Sequence, residues 1–178
     1  MTLVVLAIAA VLLSFERICY VWAWRYPGSF CRFSGYPGVS VFGSPVAVLQ
    51  NLFYGFKAIQ ILTFFSWCLF FGHGSLVPLD GSIFSFTLGV VLILSGQFLN
   101  VSVFRRLGEV GVFYGNRFGY DVPWSEQFPF SVLKHPQYVG ATLSIWGFFL
   151  MMRFPHNDWL MLPSLETVYY ILGSYFEQ

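Results

Sequence analysis

The chain has 178 residues, of which 57% are hydrophobic and 10% are charged, and its formal net charge is +1. Soluble domains carry roughly 25% charged residues, so this composition excludes an ordinary water-soluble domain and predicts an integral membrane protein. The absence of a basic stripe argues against a nucleic-acid partner. The three cysteines are too few and too scattered for a disulfide framework or a metal site.

Three apolar runs, at residues 3–24, 46–71 and 83–103, are each long enough to cross a bilayer as a helix. The first lacks a basic region and a cleavage site, so we interpret it as a retained helix rather than a signal peptide. Glu16 and Arg17 near its end predict an ion pair at the membrane interface. A polar stretch rich in glycine and proline follows. Lys57 lies in the middle of the second run, where it either extends towards the interface or pairs with Glu16.

Two further apolar runs, at residues 138–152 and 159–176, are short for complete spans and are separated by a polar break at residues 153–158. They predict tilted helices or a hairpin that penetrates only part of the bilayer. The fold class predicted is therefore an all-α integral membrane protein with four to five membrane helices and a C-terminal helical hairpin. Residues 1–178 form a single domain in this interpretation.

The distribution of charge predicts the orientation in the membrane. Two segments, 16–45 and 104–136, fall on the same side as the C-terminus, and the positive-inside rule assigns that side to the cytosol. The basic residues of these segments are Arg17, Arg25, Arg32, Arg105, Arg106, Arg117 and Lys134. The opposite side receives Arg153 with Asp80 and Asp158.

Polar and small residues recur in the C-terminal half. Within "ILSGQFLN" (93–100), Gly96 allows a ligand or another helix to approach the backbone, and these two interpretations remain open. Gly140, Ser144 and Gly147 form a small-residue stripe of the kind that lets membrane helices pack closely. In the last run, one helical face carries Glu166, Tyr170, Gly173 and Glu177.

These segments resemble the phospholipid N-methyltransferase family. The similarity lies in "SGQ" (95–97), "LGEVGVFYGNRFG" (107–119), "FPFSVLKHPQYVG" (128–140) and a final apolar hairpin that ends in Glu177. "FGSP" (42–45) is also similar. The family methylates phosphatidylethanolamine, or its monomethyl and dimethyl forms, with S-adenosylmethionine. The resemblance implies N-terminal helices in residues 1–75 and a cofactor-binding and catalytic part in residues 83–178.

The resemblance also implies roles for individual residues. The cofactor would contact Ser95, Gly96, Gln97, His135, Tyr138, Gly140 and Glu177. His135 or Glu177 would take the proton of the acceptor amine, although Glu177 could instead bind only the ribose or amino group of the cofactor. Tyr138 would face a cationic sulfur or amine. The lipid phosphate would bind Arg105, Arg106 and Arg117, with a simple anchoring role as the alternative for the first two. No metal is expected.

Two alternatives remain. His135–Pro136 stands where the family usually has Asn-Pro, and the related isoprenylcysteine carboxyl methyltransferases have Arg-His-Pro, so carboxyl methylation of a prenylated cysteine is one alternative. A non-catalytic lipid-binding or scaffold protein is the other, because "YGNRFG" (114–119) departs from the family pattern. The expected partners are a phospholipid and the bilayer, and the sequence does not indicate an oligomeric state. An endoplasmic reticulum location follows for a eukaryotic host.

Overall fold

The computed structural model describes residues 2–76, 81–123 and 125–177, so that Asp80 and Gln178 lie outside the described residues. The predicted all-helical fold is confirmed. The α-helices are α1 (Thr2–Arg25), α2 (Pro27–Ser34), α3 (Pro45–Phe71), α4 (Ile83–Val112), α5 (Pro136–Met152) and α6 (Met161–Phe176), with 3-10 turns at Ser40–Phe42 and Gly115–Phe118.

Within the described residues, three helices are long and apolar enough to cross a membrane: α1, α3, and α4 with the turn that follows it. The membrane class is therefore confirmed. The other two long helices, α5 and α6, have 17 and 16 residues. Each is about 25 Å long at 1.5 Å per residue, which is shorter than the roughly 30 Å hydrocarbon core. They form the predicted C-terminal hairpin, and the number of spans stays a prediction.

Serine caps determine where α3 and α4 begin. Ser44 Oγ accepts a hydrogen bond from the Ala47 amide at 3.3 Å, and Pro45 occupies the first turn, where a backbone donor has no helical partner. Ser82 Oγ accepts from the Ser85 amide at 3.2 Å in the same way. Both caps satisfy donors that would otherwise be unpaired at a helix start.

Small residues bring α4 and α5 into close contact. Gly96 lies against the Gly140 carbonyl and the Ser144 side chain, and a Cβ at residue 96 would overlap both. A Cβ on Gly140 would lie 2.7 Å from the Gly96 carbonyl, and one on Gly147 would lie 2.5 Å from the Gly89 carbonyl. The predicted stripe on α5 therefore packs on α4, because only small residues leave room for two backbones this close.

The polar end of the bundle, where residues 25, 45, 112, 136 and 177 lie, gathers the ends of all five long helices. Arg25 Nε donates to the Phe176 carbonyl at 2.6 Å, and Tyr169 donates to the Ala10 carbonyl at 2.9 Å, so α1 and α6 run in parallel. The glycine contacts make α4 and α5 antiparallel. Segment 104–136 and the C-terminus therefore lie together, as the order of the apolar runs predicts.

A buried ion pair holds the opposite end of the bundle. Arg153 Nη2 lies 2.7 Å from Asp158 Oδ1, and Arg153 Nε lies 3.0 Å from Oδ2. The Trp67 indole N–H donates to the same Oδ2 at 3.0 Å. All three side chains are buried. This arrangement ties the turn between α5 and α6 to α3 and leaves neither charge unpaired.

The structure contains two helical segments that the apolar runs do not predict: an extension of α4 and the short helix α2. α4 continues to Val112 because Phe104, Leu107 and Val112 pack on the apolar core between α1, α2 and α3. Gly108, with φ of 63°, bends this extension. The second segment is α2, which lies in the stretch rich in glycine and proline and is held by the fully buried Phe30.

We predict that Gly96→Ala destabilises the protein although alanine favours helices. The new Cβ would meet the backbone of α5, and overpacking costs about 1–3 kcal/mol, which exceeds the roughly 1 kcal/mol that alanine gains over glycine in a helix. Gly55→Ala in α3 is the matched control, because no atom lies within 4 Å of a Cβ at that position. Thermal unfolding in detergent micelles measures both variants. A Gly96→Ala variant as stable as Gly55→Ala would contradict the close helix contact.

Candidate active site

A cavity of about 840 Å³ lies in the polar end of the bundle, between α1, α3, α4, α5 and α6. Cavities of about 300–1,000 Å³ are typical of sites for small organic ligands. Residues 16–24 of α1 and 53–57 of α3 contribute to its wall together with residues 97–141 and the end of α6. Residues from both predicted parts of the chain, 1–75 and 83–178, therefore line one cavity. The assignment of cofactor binding to residues 83–178 stays a prediction.

Unpartnered polar atoms are concentrated in this wall. Among the described residues, five buried side-chain atoms have no hydrogen-bond partner, and all five belong to residues that line the cavity. They are Arg17 Nε, Trp24 Nε1, Asn100 Oδ1, His135 Nε2 and Glu177 Oε1. Buried polar groups are normally paired, so each of these atoms requires an explanation such as a ligand. The cavity offers donors and acceptors to a polar molecule.

Three of the predicted site residues meet directly. The ring of His135 stacks on Tyr138 with 5.8 Å between centroids and an interplanar angle of 16°. The Tyr138 hydroxyl donates a hydrogen bond to Glu177 Oε2. His135 immediately precedes α5 and Glu177 immediately follows α6, so the hairpin brings the two residues together at its open end.

The environment shifts the pKa values of His135 and Glu177 in opposite directions. Partial burial and the neighbouring charge of Lys134 lower the pKa of His135, so its imidazole is neutral at pH 7 and can accept a proton. Burial raises the pKa of the Glu177 carboxyl, and the hydrogen bond from Tyr138 opposes this shift. A positive ligand beside Glu177 would favour its ionised form.

A network of buried charges joins the wall of the cavity to the interior. Glu16 Oε1 lies 2.7 Å from Arg17 Nη2 and 3.0 Å from Lys57 Nζ. Lys57 also donates to Gln60 Oε1 at 2.9 Å, and Gln60 donates to Glu166 Oε1 at 2.5 Å. The structure thus shows Lys57 paired with Glu16. It also shows the expected pair of Glu16 and Arg17, which lies inside the bundle with only 5% and 9% exposure, and the depth of this pair in the membrane stays a prediction.

Tyr170 packs against the same network from α6. Its ring centre lies 4.0 Å from the Arg17 guanidinium carbon, and its hydroxyl accepts from Lys57 Nζ at 3.4 Å. Glu166, Tyr170 and Gly173 are all buried. The predicted polar face of the last helix therefore points into the bundle.

The three arginines predicted to hold a phosphate have different environments. Arg105 lines the cavity and is exposed, as is Lys134. Arg106 Nε donates to the Phe128 carbonyl at 3.2 Å. Arg117 stacks over Trp24, with 3.9 Å from its guanidinium carbon to the ring centre. Arg105 and Lys134 therefore form the cationic mouth of the cavity.

The remaining residues predicted to contact the cofactor differ in their positions, and only Gln97 lines the cavity. Gln97 lines the cavity and donates to Ser144 Oγ at 2.9 Å. Ser95 is exposed on α4 outside the cavity lining. Gly96 and Gly140 are buried in the contact between α4 and α5, which shows the helix-packing alternative for Gly96. Their absent side chains position α5, and with it His135 and Tyr138, beside α4.

Two residues of the site, Arg17 and Trp24, were not assigned to it from the sequence. Asn100, which is unusual for a lipid-facing helix, and Tyr114, one of the aromatic residues in segment 113–120, line the cavity with them. Arg17 and Asn100 carried a signal, since ionisable and amide side chains within apolar runs are costly unless they serve a site. No group of three metal-ligating side chains occurs within the described ranges.

Comparison with known proteins agrees with the resemblance. The family model described as Phospholipid methyltransferase matches residues 84–178. The Arabidopsis thaliana protein named phosphatidyl-N-methylethanolamine N-methyltransferase is 33% identical over 164 residues, which cover 92% of this chain and 87% of that protein. No solved structure matches the chain.

Mammalian relatives match about half of the chain. Proteins named phosphatidylethanolamine N-methyltransferase are 36% identical over 92 residues in Rattus norvegicus and 33% identical over 95 residues in Homo sapiens. These matches cover 51% and 53% of this chain but only 45% and 47% of the two relatives, so the chain spans about half the length of the mammalian proteins. With the family model matched over more than half of its residues and a relative one third identical along most of its length, this chain belongs to the phospholipid methyltransferase family.

Proposed function

We propose that this chain transfers methyl groups from S-adenosylmethionine to the amine of phosphatidylethanolamine, or of its monomethyl and dimethyl derivatives, towards phosphatidylcholine. The family and the names of its relatives confirm the predicted class of phospholipid N-methyltransferase. The identity of the methyl donor and the preferred acceptor are proposals. The name of the Arabidopsis thaliana relative supports the monomethyl lipid as the first acceptor to test.

One observation carries the proposal: every unpartnered buried side-chain atom in the described part of the chain belongs to the wall of a single cavity. A cavity that served only as a packing defect would be apolar. This cavity instead combines a carboxylate, a neutral imidazole, a guanidinium and an amide with aromatic rings. Such a set can hold two polar molecules and move a proton between groups.

The residues of the cavity fit S-adenosylmethionine. Glu177 Oε1 is an unpaired buried acceptor, and Arg17 Nε and Trp24 Nε1 are unpaired buried donors that small side-chain movements would expose to hydroxyl, amino or carboxylate groups of a ligand. The ring of Tyr138 offers an aromatic face for a cation. When bound, this donor supplies a methyl group on a positively charged sulfur that is already a good leaving group.

His135 is the proposed general base. An amine attacks only in its unprotonated form, so the substrate ammonium must first lose a proton. His135 Nε2 is unpartnered, and the lowered pKa of its imidazole keeps that nitrogen free to accept the proton. Glu177 is the weaker candidate, because a cationic donor beside it would lower its basicity. Tyr138 holds both residues in place through its stacking and its hydrogen bond.

The mouth of the cavity provides for a lipid substrate. Arg105 and Lys134 supply positive charge for the phosphate. Val101 lines the cavity and is 46% exposed on α4, which supports an opening of the cavity beside that apolar helix. A phospholipid can therefore present its amine to His135 while its acyl chains remain in the bilayer.

The membrane orientation follows from the same charges. Arg25, Arg106 and Arg117 lie at the polar end with Arg105 and Lys134, which supports a cytosolic position for the cavity. In a eukaryotic host we propose the endoplasmic reticulum membrane. The alternatives of a prenylcysteine carboxyl methyltransferase and of a non-catalytic scaffold are not favoured by the relatives.

We expect purified protein in vesicles to transfer label from methyl-labelled S-adenosylmethionine to phosphatidylethanolamine or its methylated forms. Parallel reactions contain phosphatidyl-N-methylethanolamine, the dimethyl lipid, or a prenylated cysteine with a free carboxylate. Chromatography of the products then identifies the acceptor. Label only on the prenylcysteine carboxylate would replace the proposal by the carboxyl methyltransferase. Folded protein that labels no acceptor would support the scaffold.

His135→Ala should slow methyl transfer by about 10²–10⁴-fold, the usual contribution of a general base. His135→Asn introduces the residue that the family usually has at this position, and a wild-type rate in that variant would show that the reaction does not need His135 as its base. The amine of the substrate imposes its own pH dependence on both proteins, so the ratio of the wild-type rate to the variant rate isolates His135. Because the pKa of His135 lies below its usual value of about 6.5, the ratio should be constant above pH 7. It should fall as the pH is lowered through that pKa. A ratio independent of pH would exclude His135 as the base.

Arg105→Gln should raise the apparent KM for the phospholipid while leaving the affinity for the methyl donor unchanged, because it removes a charge only from the mouth of the cavity. Arg106→Gln is the matched control, since its side chain bonds the Phe128 carbonyl outside the cavity lining. Initial rates against lipid mole fraction measure both. Equal effects of the two substitutions would point to a general membrane attraction instead of a phosphate site.

A further inference from the structure

Arg17 and Glu177 place opposite charges on either side of Tyr138. The guanidinium carbon of Arg17 lies 5.8 Å from the Tyr138 ring centre, and the Tyr138 hydroxyl donates to Glu177 Oε2. Gly173 of α6 lies beside both groups: a Cβ there would be 3.8 Å from Arg17 Cδ and 3.9 Å from the Tyr138 hydroxyl oxygen. The two charges therefore belong to one small region of the cavity wall.

Each of these charged groups keeps one atom without a partner. Arg17 uses Nη2 to bind Glu16 at 2.7 Å, which leaves its Nε–H unpaired. Glu177 accepts from Tyr138 with Oε2, which leaves Oε1 unpaired. Lys57, the other buried cation of the wall, is already bound to Glu16 and Gln60. Residues of the wall thus carry one unpaired cationic donor atom and one unpaired carboxylate oxygen, both buried.

We propose that this pair recognises the amino-acid end of the methyl donor: Arg17 Nε–H binds its α-carboxylate and Glu177 Oε1 binds its α-ammonium. The inference rests on the proposed function and adds a residue of α1, outside every segment that carried the family resemblance. Glu16 acts as a positioning residue that fixes the guanidinium from behind. Charge-assisted hydrogen bonds in a buried site are stronger than neutral ones, so a zwitterion gains from both contacts.

The phosphate of the lipid is the competing ligand for Arg17. Two features favour the carboxylate of an amino acid. Arg17 is only 9% exposed, whereas Arg105 and Lys134 offer exposed positive charge at the mouth. Glu177 bonds the hydroxyl of the same tyrosine whose ring Arg17 lies over, and its negative charge would repel a phosphate while attracting an ammonium group.

The test measures binding to wild-type protein in nanodiscs by isothermal titration calorimetry, without turnover. The probes are S-adenosylhomocysteine, its decarboxylated analogue and its deaminated analogue. We expect loss of the carboxylate to weaken binding to the wild type by about 10- to 100-fold, as for a hydrogen bond between charged groups. Arg17→Gln should bind S-adenosylhomocysteine and the decarboxylated analogue equally weakly. Glu177→Gln should likewise lose discrimination against the deaminated analogue.

Arg32→Gln is the control variant. Arg32 is exposed on α2 outside the cavity lining, and its substitution removes the same charge as Arg17→Gln. It should retain the wild-type discrimination. If wild-type protein binds the decarboxylated analogue as tightly as the parent compound, the inference is overturned whether or not Arg17→Gln folds. The same holds if Arg17→Gln keeps the discrimination, or if it changes only the affinity for phospholipid. Absence of any S-adenosylhomocysteine binding to the wild type would instead overturn the proposed donor.

Discussion

The site depends on the pairing of Glu16 with two cations inside the helix bundle. Arg17 and Lys57 both bind the same carboxylate, so a charge that would be costly alone in an apolar interior becomes part of a compensated network. The network continues through Gln60 to Glu166 and joins α1, α3 and α6. Removal of one member would leave another charge unpaired, which explains how three apolar helices hold a polar wall between them.

The buried polar groups are paired at one end of the bundle and partly unpaired at the other. At the end formed by the α5–α6 turn, Arg153, Asp158 and Trp67 satisfy one another's hydrogen bonds. At the polar end, the wall keeps donors and acceptors unpaired around a large cavity. The polar end is therefore the part of the bundle that we propose as the binding site.

The contact between α4 and α5 determines where His135 and Tyr138 lie in the cavity. Gly96 and Gly140 let the two backbones touch, and the first turn of α5 then places His135 and Tyr138 opposite the end of α6. Glycines that resemble a cofactor motif in the sequence thus act on the site through helix packing. Gly96 therefore affects the position of the site residues on α5 although Gly96 itself does not line the cavity.

Composition and apolar run length determined the membrane class, the all-helical fold and the parity of the helix ends, because a bilayer admits only segments that satisfy their own backbone. The motifs around residues 95–140, with Glu177 after the last apolar run, indicated the family and predicted that His135, Tyr138 and Glu177 share one site. Only the tertiary structure decided that Arg17 and Lys57 are internal and that Arg105, rather than Arg106, lines the cavity. The direction of a side chain on a mostly apolar helix depends on which neighbours pack against it, and those neighbours are remote in sequence.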